Sequence, residues 1–261
     1  MPSKATIDLN CDMGESFGVY SLGLDREILP YITSANIACG FHAGDPLVME
    51  RTVKYCIEVG VEIGAHPSVP DLVGFGRRTM AITPDQLRTD FIYQISALRG
   101  FVEAHGRTLQ HCKPHGAIYN QAANDVNLAQ AIAEAVKAID PQIILVVLAG
   151  SRMVKIGEDL GLKVAQEGFA DRAYNEDGTL ASRQLPGAVI HDPMIVAKRV
   201  IKMVSERKIQ AITGKEIQIG RIDTICVHGD TPGAVELAKN VRKELEAQDV
   251  GIKLVPISQS I

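Results

Sequence analysis

The chain has 261 residues, 46% of them hydrophobic, enough to bury a substantial core at a length that suits one large α/β domain. Lys and Arg number 27 against 31 Asp and Glu, net -4 with no basic tract, which argues against nucleic acid as the main partner. No apolar run reaches membrane-spanning length, and five cysteines without C-x-x-C spacing fit reduced structural thiols, so a soluble cytoplasmic protein without membrane contact is expected.

Thr6 to Asp12 alternates strictly, with Ile7, Leu9 and Cys11 on one face and Asp8, Asn10 and Asp12 on the other. As the first strand of a barrel it would turn its apolar face to the helices and its polar face to the lumen, with Asp12 at the upper rim next to Glu15. The stretch Ala35 to Pro46 reads as a buried strand that empties through glycines into His42 and Asp45. Asp45 and Pro46 then open a helix that runs to Gly60. Val61 to His66 is the next strand, again ending in a histidine. Pro67 to Ile82 is a Pro- and Gly-rich loop with Asp71, Arg77 and Arg78, a candidate active-site loop by its length. Thr83-Pro84-Asp85-Gln86 has the form of a capping box and starts a helix to His105.

Leu109 to His115 returns as a strand with His111, Lys113 and His115 on one face, interrupted by Pro114. Ala117 to Gln121 leads into a helix from about Asp125 to Ile139. Ile143 to Leu148 is a continuous apolar run, the mark of a strand buried on both faces. A short helix from Ser151 to Leu160 and a strand from Lys163 to Glu167 follow. The longest irregular stretch, Gly168 to Ile190, carries Asp171, Arg172 and Arg183 and has the character of a lid or binding loop. Asp192-Pro193 opens a helix to about Arg207, and Thr213 to Ile222 reads as a connector. Thr224 to His228 is a strand that runs into Gly229-Asp230-Thr231-Pro232, where the last helix is expected to begin. Ile252 to Ile257 would be a closing strand.

About seven strands alternating with helices over one domain, residues 1–261, predict a parallel β/α barrel, with an open doubly wound sheet as the rival. The barrel is preferred because polar residues end strands from the first to the last. A barrel would bring Asp12, Glu15, His42, Asp45, His66, Lys113, His115, Glu167, Asp171, Arg172, His228 and Asp230 into one bowl. Each has a plainer reading: Asp45 as a helix cap, Arg77 and Arg78 as a solvated pair, Glu167 and Asp171 as partners of Arg172. ATP is not expected on a P-loop, because no G-x-x-x-x-G-K-[ST] occurs, and neither G-x-S-x-G nor H-E-x-x-H is found.

Asp8 to Gly18, Ala35 to Pro46, Gly64-Ala65-His66-Pro67 with Gly74 to Arg78, Lys113 to Ala117, Glu167 to Tyr174, and Val227 to Asp230 together closely resemble the LamB/YcsF family. The resemblance implies an irregular β/α barrel related to the glycoside hydrolase and deacetylase group. It also implies opening of the lactam 5-oxo-L-proline to L-glutamate, with ATP as co-substrate and partner subunits B and C that hold the nucleotide wholly or partly.

From side-chain chemistry, Asp12 or His42 is expected as general base, with Lys113 and His115 stabilising charge and His228 and Asp230 completing the catalytic set. Arg78 and Arg172 are expected to hold a carboxylate or phosphate, and Glu15, Asp45, His66, Glu167 and Asp171 to contact substrate. Deacetylase-like relatives use an H-x-x-x-H pair for a divalent metal; here the corner reads His42-Ala43-Gly44-Asp45, so a metal stays open. The alternatives are a stand-alone metal-dependent deacetylase and a non-catalytic subunit that captures 5-oxoproline.

Overall fold

A computed structural model describes residues 6–228 and 233–253. In chain order its elements are β1 (Thr6–Met13), α1 (Asp25–Ile28), a 3-10 turn (Leu29–Tyr31), β2 (Ser34–Ala38), α2 (Pro46–Val59), β3 (Glu62–His66), α3 (Pro84–Ala104), β4 (His111–Cys112), α4 (Ala117–Ala122), α5 (Val126–Ile139), β5 (Ile144–Leu148), α6 (Arg152–Asp159) and β6 (Val164–Phe169). There follow α7 (Pro193–Glu206), a small hairpin of β7 (Lys208–Gln210) and β8 (Glu216–Gln218), β9 (Thr224–His228), α8 (Ala234–Ala247) and β10 (Gly251–Ile252). No helix among the described residues is long and apolar enough to cross a membrane.

Seven strands, β1-β2-β3-β4-β5-β6-β9, run parallel, and β9 pairs back onto β1, which closes the barrel. β10 adds beside the start of β1. The two faces of β1 explain the closure. Ile7, Leu9, Cys11 and Met13 are buried outward under the helices, in one apolar layer with Phe91, Leu98, Val53 and Val241. Each such side chain contributes on the order of 1.5–3 kcal/mol by leaving water.

Asp8, Asn10 and Asp12 turn into the lumen, where the lower part is a column of side-chain hydrogen bonds. Asp8 accepts from Thr33, Ser34 and Thr224; Asn10 donates to Thr224 and Glu167; Asn36 donates to Asn10 and Asp12. His111 Nε2 lies 2.8 Å from Asn36 Oδ1 and completes the set. Register lifts the chemistry to one level: Asp12 stands opposite Asn36 on one side and His228 on the other, and Ala38 opposite His66.

The helix starts follow the cap signals. Asp45 and Asp192 each accept from two backbone amides ahead of a first-turn proline, and Thr83 with Gln86 forms the reciprocal capping box. Two segments differ from the sequence expectation. The strand expected over Leu109–His115 is only two residues long, because Pro114 has no amide to continue the ladder. The connector at Thr213–Ile222 contains β8, paired antiparallel with β7 so that Ile209 sits opposite Ile217. A three-residue strand has too little alternation to be seen in sequence. The expected start of the last helix at Thr231-Pro232 lies outside the described residues; α8 begins at Ala234, after Gly233. Most of the closing strand expected over Ile252–Ile257 also lies outside them.

Candidate active site

The C-terminal mouth of the barrel opens into a cavity of about 720 Å3. Its floor is Lys113. The ammonium is buried, 2.9 Å from Asp12 Oδ1, 2.8 Å from Glu167 Oε1 and 3.2 Å from Cys226 Sγ, with the Phe169 ring 5.3 Å away. Burial alone would discharge this lysine, but the carboxylates outweigh it and hold its pKa well above the usual value. Burial likewise opposes the charge on Asp12, and its interactions with His66 and with the Lys113 ammonium outweigh it, so its carboxyl titrates well below the ordinary range. Tyr119 donates 2.7 Å to Glu167 Oε2, which fixes the second carboxylate from behind.

One wall is built of histidines. His66 comes from the end of β3, His42 from the turn after β2 and His115 from the turn after β4. His42 and His115 stack with ring centroids 3.7 Å apart and planes 6° from parallel, and His66 stands edge-on to both. Burial pushes the pKa of His42 and His115 well below the usual imidazole value. Glu15, from the end of β1, places Oε1 3.6 Å from His42 Nε2 and 3.8 Å from His115 Nδ1. Ligand atoms of Glu15, His42, His66 and His115 all lie within 4.8 Å of one another, and Asp12, Cys226 and His228 form a second such group.

The 67–82 loop braces the stack. Phe75 sits at φ 56, a conformation that costs a non-glycine residue on the order of 1–2 kcal/mol. Its carbonyl accepts from His115 Nε2 at 2.9 Å, and its ring meets His42 edge-on. Gly76, at φ 63, lies so close that a Cβ would come within 2.9 Å of both His42 and His115. A Cβ on Gly116, at φ 71, would collide with the Gly76 carbonyl, which accepts from Ala117 N.

The opposite wall carries Asp171, His228 and Arg183. The buried Asp171 carboxylate lies 2.8 Å from His228 Nδ1, so Nδ1 holds the proton and Nε2 accepts from Arg183 at 2.8 Å. Burial opposes ionisation of Asp171, but its interaction with His228, followed by that with Arg183, prevails and lowers its pKa. Arg172 lines the cavity beside them and donates to the Ala181 carbonyl, while its Nε has no hydrogen-bond partner. Burial, then the nearby Arg183 charge, bring its pKa down to about 10.

The structure thus brings Asp12, Glu15, His66, Lys113, His115, Arg172 and His228 to the cavity. His42 stands directly behind His115. Glu167 and Asp171 do not reach the lining; they back Lys113 and His228 and do not pair with Arg172. Asp45 lies outside the bowl, where it caps α2 and accepts from Gly18 N. Arg78 also turns away, a largely exposed side chain clasped by Asp71, and Arg77 takes its place in the lining. Asp230 lies outside the described residues. Sequence reasoning passed over Tyr119 and left Arg183 without a role. Arg183 had a signal, its place on the longest irregular stretch, whereas Tyr119 on a short helix had none.

The profile of the LamB/YcsF family matches residues 7–260. A relative from Thermococcus onnurineus, named as the A subunit of 5-oxoprolinase, is 56% identical over 255 residues, covering 98% of this chain and 99% of that one. One of the same name from Pyrococcus furiosus is 54% identical with the same coverage. The crystal structure of the lactam utilization protein from Thermus thermophilus superposes with a TM-score of 0.90 at 47% identity, over 96% of this chain and all of that one.

Proposed function

Since the chain belongs to the LamB/YcsF family, we propose that it is the lactam-opening A subunit of an ATP-dependent 5-oxoprolinase, which converts 5-oxo-L-proline to L-glutamate together with subunits B and C. One observation carries the chemistry: a bowl that gathers Lys113, Asp12 and an Asp171–His228 pair with the arginines Arg77, Arg172 and Arg183. Guanidinium groups suit the substrate carboxylate and a phosphate, and the cavity has room for both. Five buried free thiols fit a reducing cytoplasm.

An amide carbon is a poor electrophile, and transfer of the ATP γ-phosphoryl group to the lactam oxygen makes it reactive. The nucleotide is held wholly or partly by the partner subunits, in keeping with a chain that has no P-loop. Water then adds to the activated carbon and the C–N bond breaks. The ring nitrogen leaves as an amine and the carbon becomes an acyl phosphate, which a second water hydrolyses to glutamate and phosphate.

In this scheme His228 Nε2 takes the proton from water and returns it to the departing nitrogen, with Asp171 holding its tautomer. Arg183, which donates to Nε2, releases it on turning to the substrate carboxylate. Asp12 is held ionised, so it orients rather than accepts, and Lys113 stabilises the developing oxyanion. A second reading, metal-assisted hydrolysis of an amide without ATP, draws on the Glu15, His42, His66 and His115 group.

The experiment is to incubate 5-oxoproline and ATP with this chain and its B and C subunits and to follow glutamate, omitting each component in turn. Glutamate formation that requires all of them is expected. Formation without this chain overturns the proposal, and formation without ATP favours the second reading.

A further inference from the structure

We propose that Glu15, His42, His66 and His115 form a binding site for one divalent transition-metal ion at the barrel mouth. The positions of the ring protons point to it, whatever the substrate is. His66 Nδ1 lies 2.7 Å from the Lys113 carbonyl, which only accepts, so Nδ1 carries the proton and a neutral ring presents a lone pair at Nε2. His115 Nε2 lies 2.9 Å from the Phe75 carbonyl, so by the same reasoning its lone pair is at Nδ1. These two lone-pair nitrogens face each other at 3.0 Å. Asp12 Oδ2, another acceptor, is 3.3 Å from His66 Nε2. Acceptors gathered at this distance need a positive centre between them.

A proton on His66 would reconcile that pair. It would leave His42 unexplained, since that ring is wholly buried and neither nitrogen has a hydrogen-bond partner. Its Nε2 is 3.6 Å from Glu15 Oε1, beyond hydrogen-bond reach but on the same side of the cluster. A cation accounts for both rings at once. Ligand atoms about 2.1 Å from one ion sit roughly 3.0–3.4 Å apart. Three of the observed separations run from 3.0 to 3.8 Å and all lie within 4.8 Å, so the group would contract around an ion and the His42 ring, stacked flat on His115, would turn to aim its lone pair at it.

The donors name the class of ion. Three imidazoles and a carboxylate suit zinc and its first-row neighbours and not calcium or magnesium, which take oxygen shells. The backbone carbonyls on the far nitrogens of His66 and His115 are the outer contacts that hold a metal-binding imidazole in one tautomer. The cavity lies alongside, so a bound ion would be open to ligand from one side.

The test uses the full chain, stripped with a chelator and titrated with zinc or cobalt(II) alone, with neither substrate nor partner present. One equivalent is expected to bind, with ligand-field bands for cobalt and a rise in thermal midpoint for zinc. His42→Ala and Glu15→Gln should each weaken binding by about 100-fold or more, whereas Thr224→Val, in the lower lumen, should bind as wild type. Circular dichroism checks that each variant folds, and two variants guard against the failure of one. Absence of binding, or undiminished binding in both ligand variants, overturns the site. So do histidine nitrogen-15 shifts that show His66 doubly protonated and indifferent to zinc. Metal binding without glutamate formation in the complete assay would leave the site standing and sink the 5-oxoprolinase reading. A metal-free chain that supports turnover and binds no added ion would do the reverse.

Discussion

Asn36 and His42 lie on one strand and the turn that follows it, and both are completely buried. Asn36 bonds to Asn10, Asp12 and His111, whereas His42 has no hydrogen-bond partner for either ring nitrogen. The contrast extends through the lumen. Below Lys113 the interior polar groups are matched to one another, and above it the acceptors crowd together and the Arg172 Nε is left over. An unmatched buried polar group costs on the order of 1–3 kcal/mol, so a chain optimised only to fold would have matched both halves or made them apolar. The lower half uses its hydrogen bonds within the fold, and the upper half leaves several polar atoms without a partner.

Lys113 joins the halves, and its loss should have the largest effect. Lys113→Met leaves Asp12 and Glu167 buried without their cation, which should cost about 3–5 kcal/mol in a urea titration and abolish glutamate formation. His228→Gln tests the upper half alone. It should lower turnover in the reconstituted assay by roughly 10²–10⁴-fold with little change in the unfolding midpoint. A large loss of stability in that variant would erase the distinction between the halves.

Thr224→Val is the converse, since it removes a donor to Asp8 and an acceptor for Asn10. It should cost about 1–3 kcal/mol while turnover of the folded protein stays normal. Acid provides the finest probe. Burial, then the Lys113 charge, lower the His111 pKa to about 3, against roughly 6.5 in the unfolded chain. Between these values the unfolded state binds the extra proton. The stabilisation is complete above about pH 6.5 and is lost as pH falls toward 3, at up to about 1.4 kcal/mol per unit. Burial raises the Asp8 pKa, which acts with the opposite sign, so the difference between wild type and His111→Gln isolates the imidazole.

The lower half was the more legible in sequence. Strict alternation from Thr6 to Asp12 already placed Asp8 and Asn10 in the lumen; strands and helices in turn pointed to a parallel sheet, and polar residues at strand ends throughout favoured its closure into a barrel. Proline after a polar cap marked the starts of α2, α3 and α7. The mouth was legible by residue type, through His42, His66, His115 and His228 near strand ends, but not by partner. Sequence offered Glu167 and Asp171 either as substrate contacts or as partners of Arg172; in space they serve Lys113 and His228, which arrive from other strands. Arg77 and Arg78 are chemically alike neighbours, and the clasp of Asp71 on Arg78 decides which one faces the cavity. Such choices depend on the path of a loop, which leaves no periodicity to read.

The interlock of Gly76, Gly116 and the stacked histidines also bears on how this scaffold can diverge. A methyl at Gly76 presses on His42 and His115, and one at Gly116 strikes the Gly76 carbonyl, so neither loop can drift by single substitutions without loosening the other. The histidine wall is therefore sterically coupled to both loops. The facing 168–190 segment carries Arg172 and Arg183 without that lock and has more length over which to change. Substitutions that reshape the cavity are therefore expected to be tolerated more readily on that side than at Gly76 or Gly116.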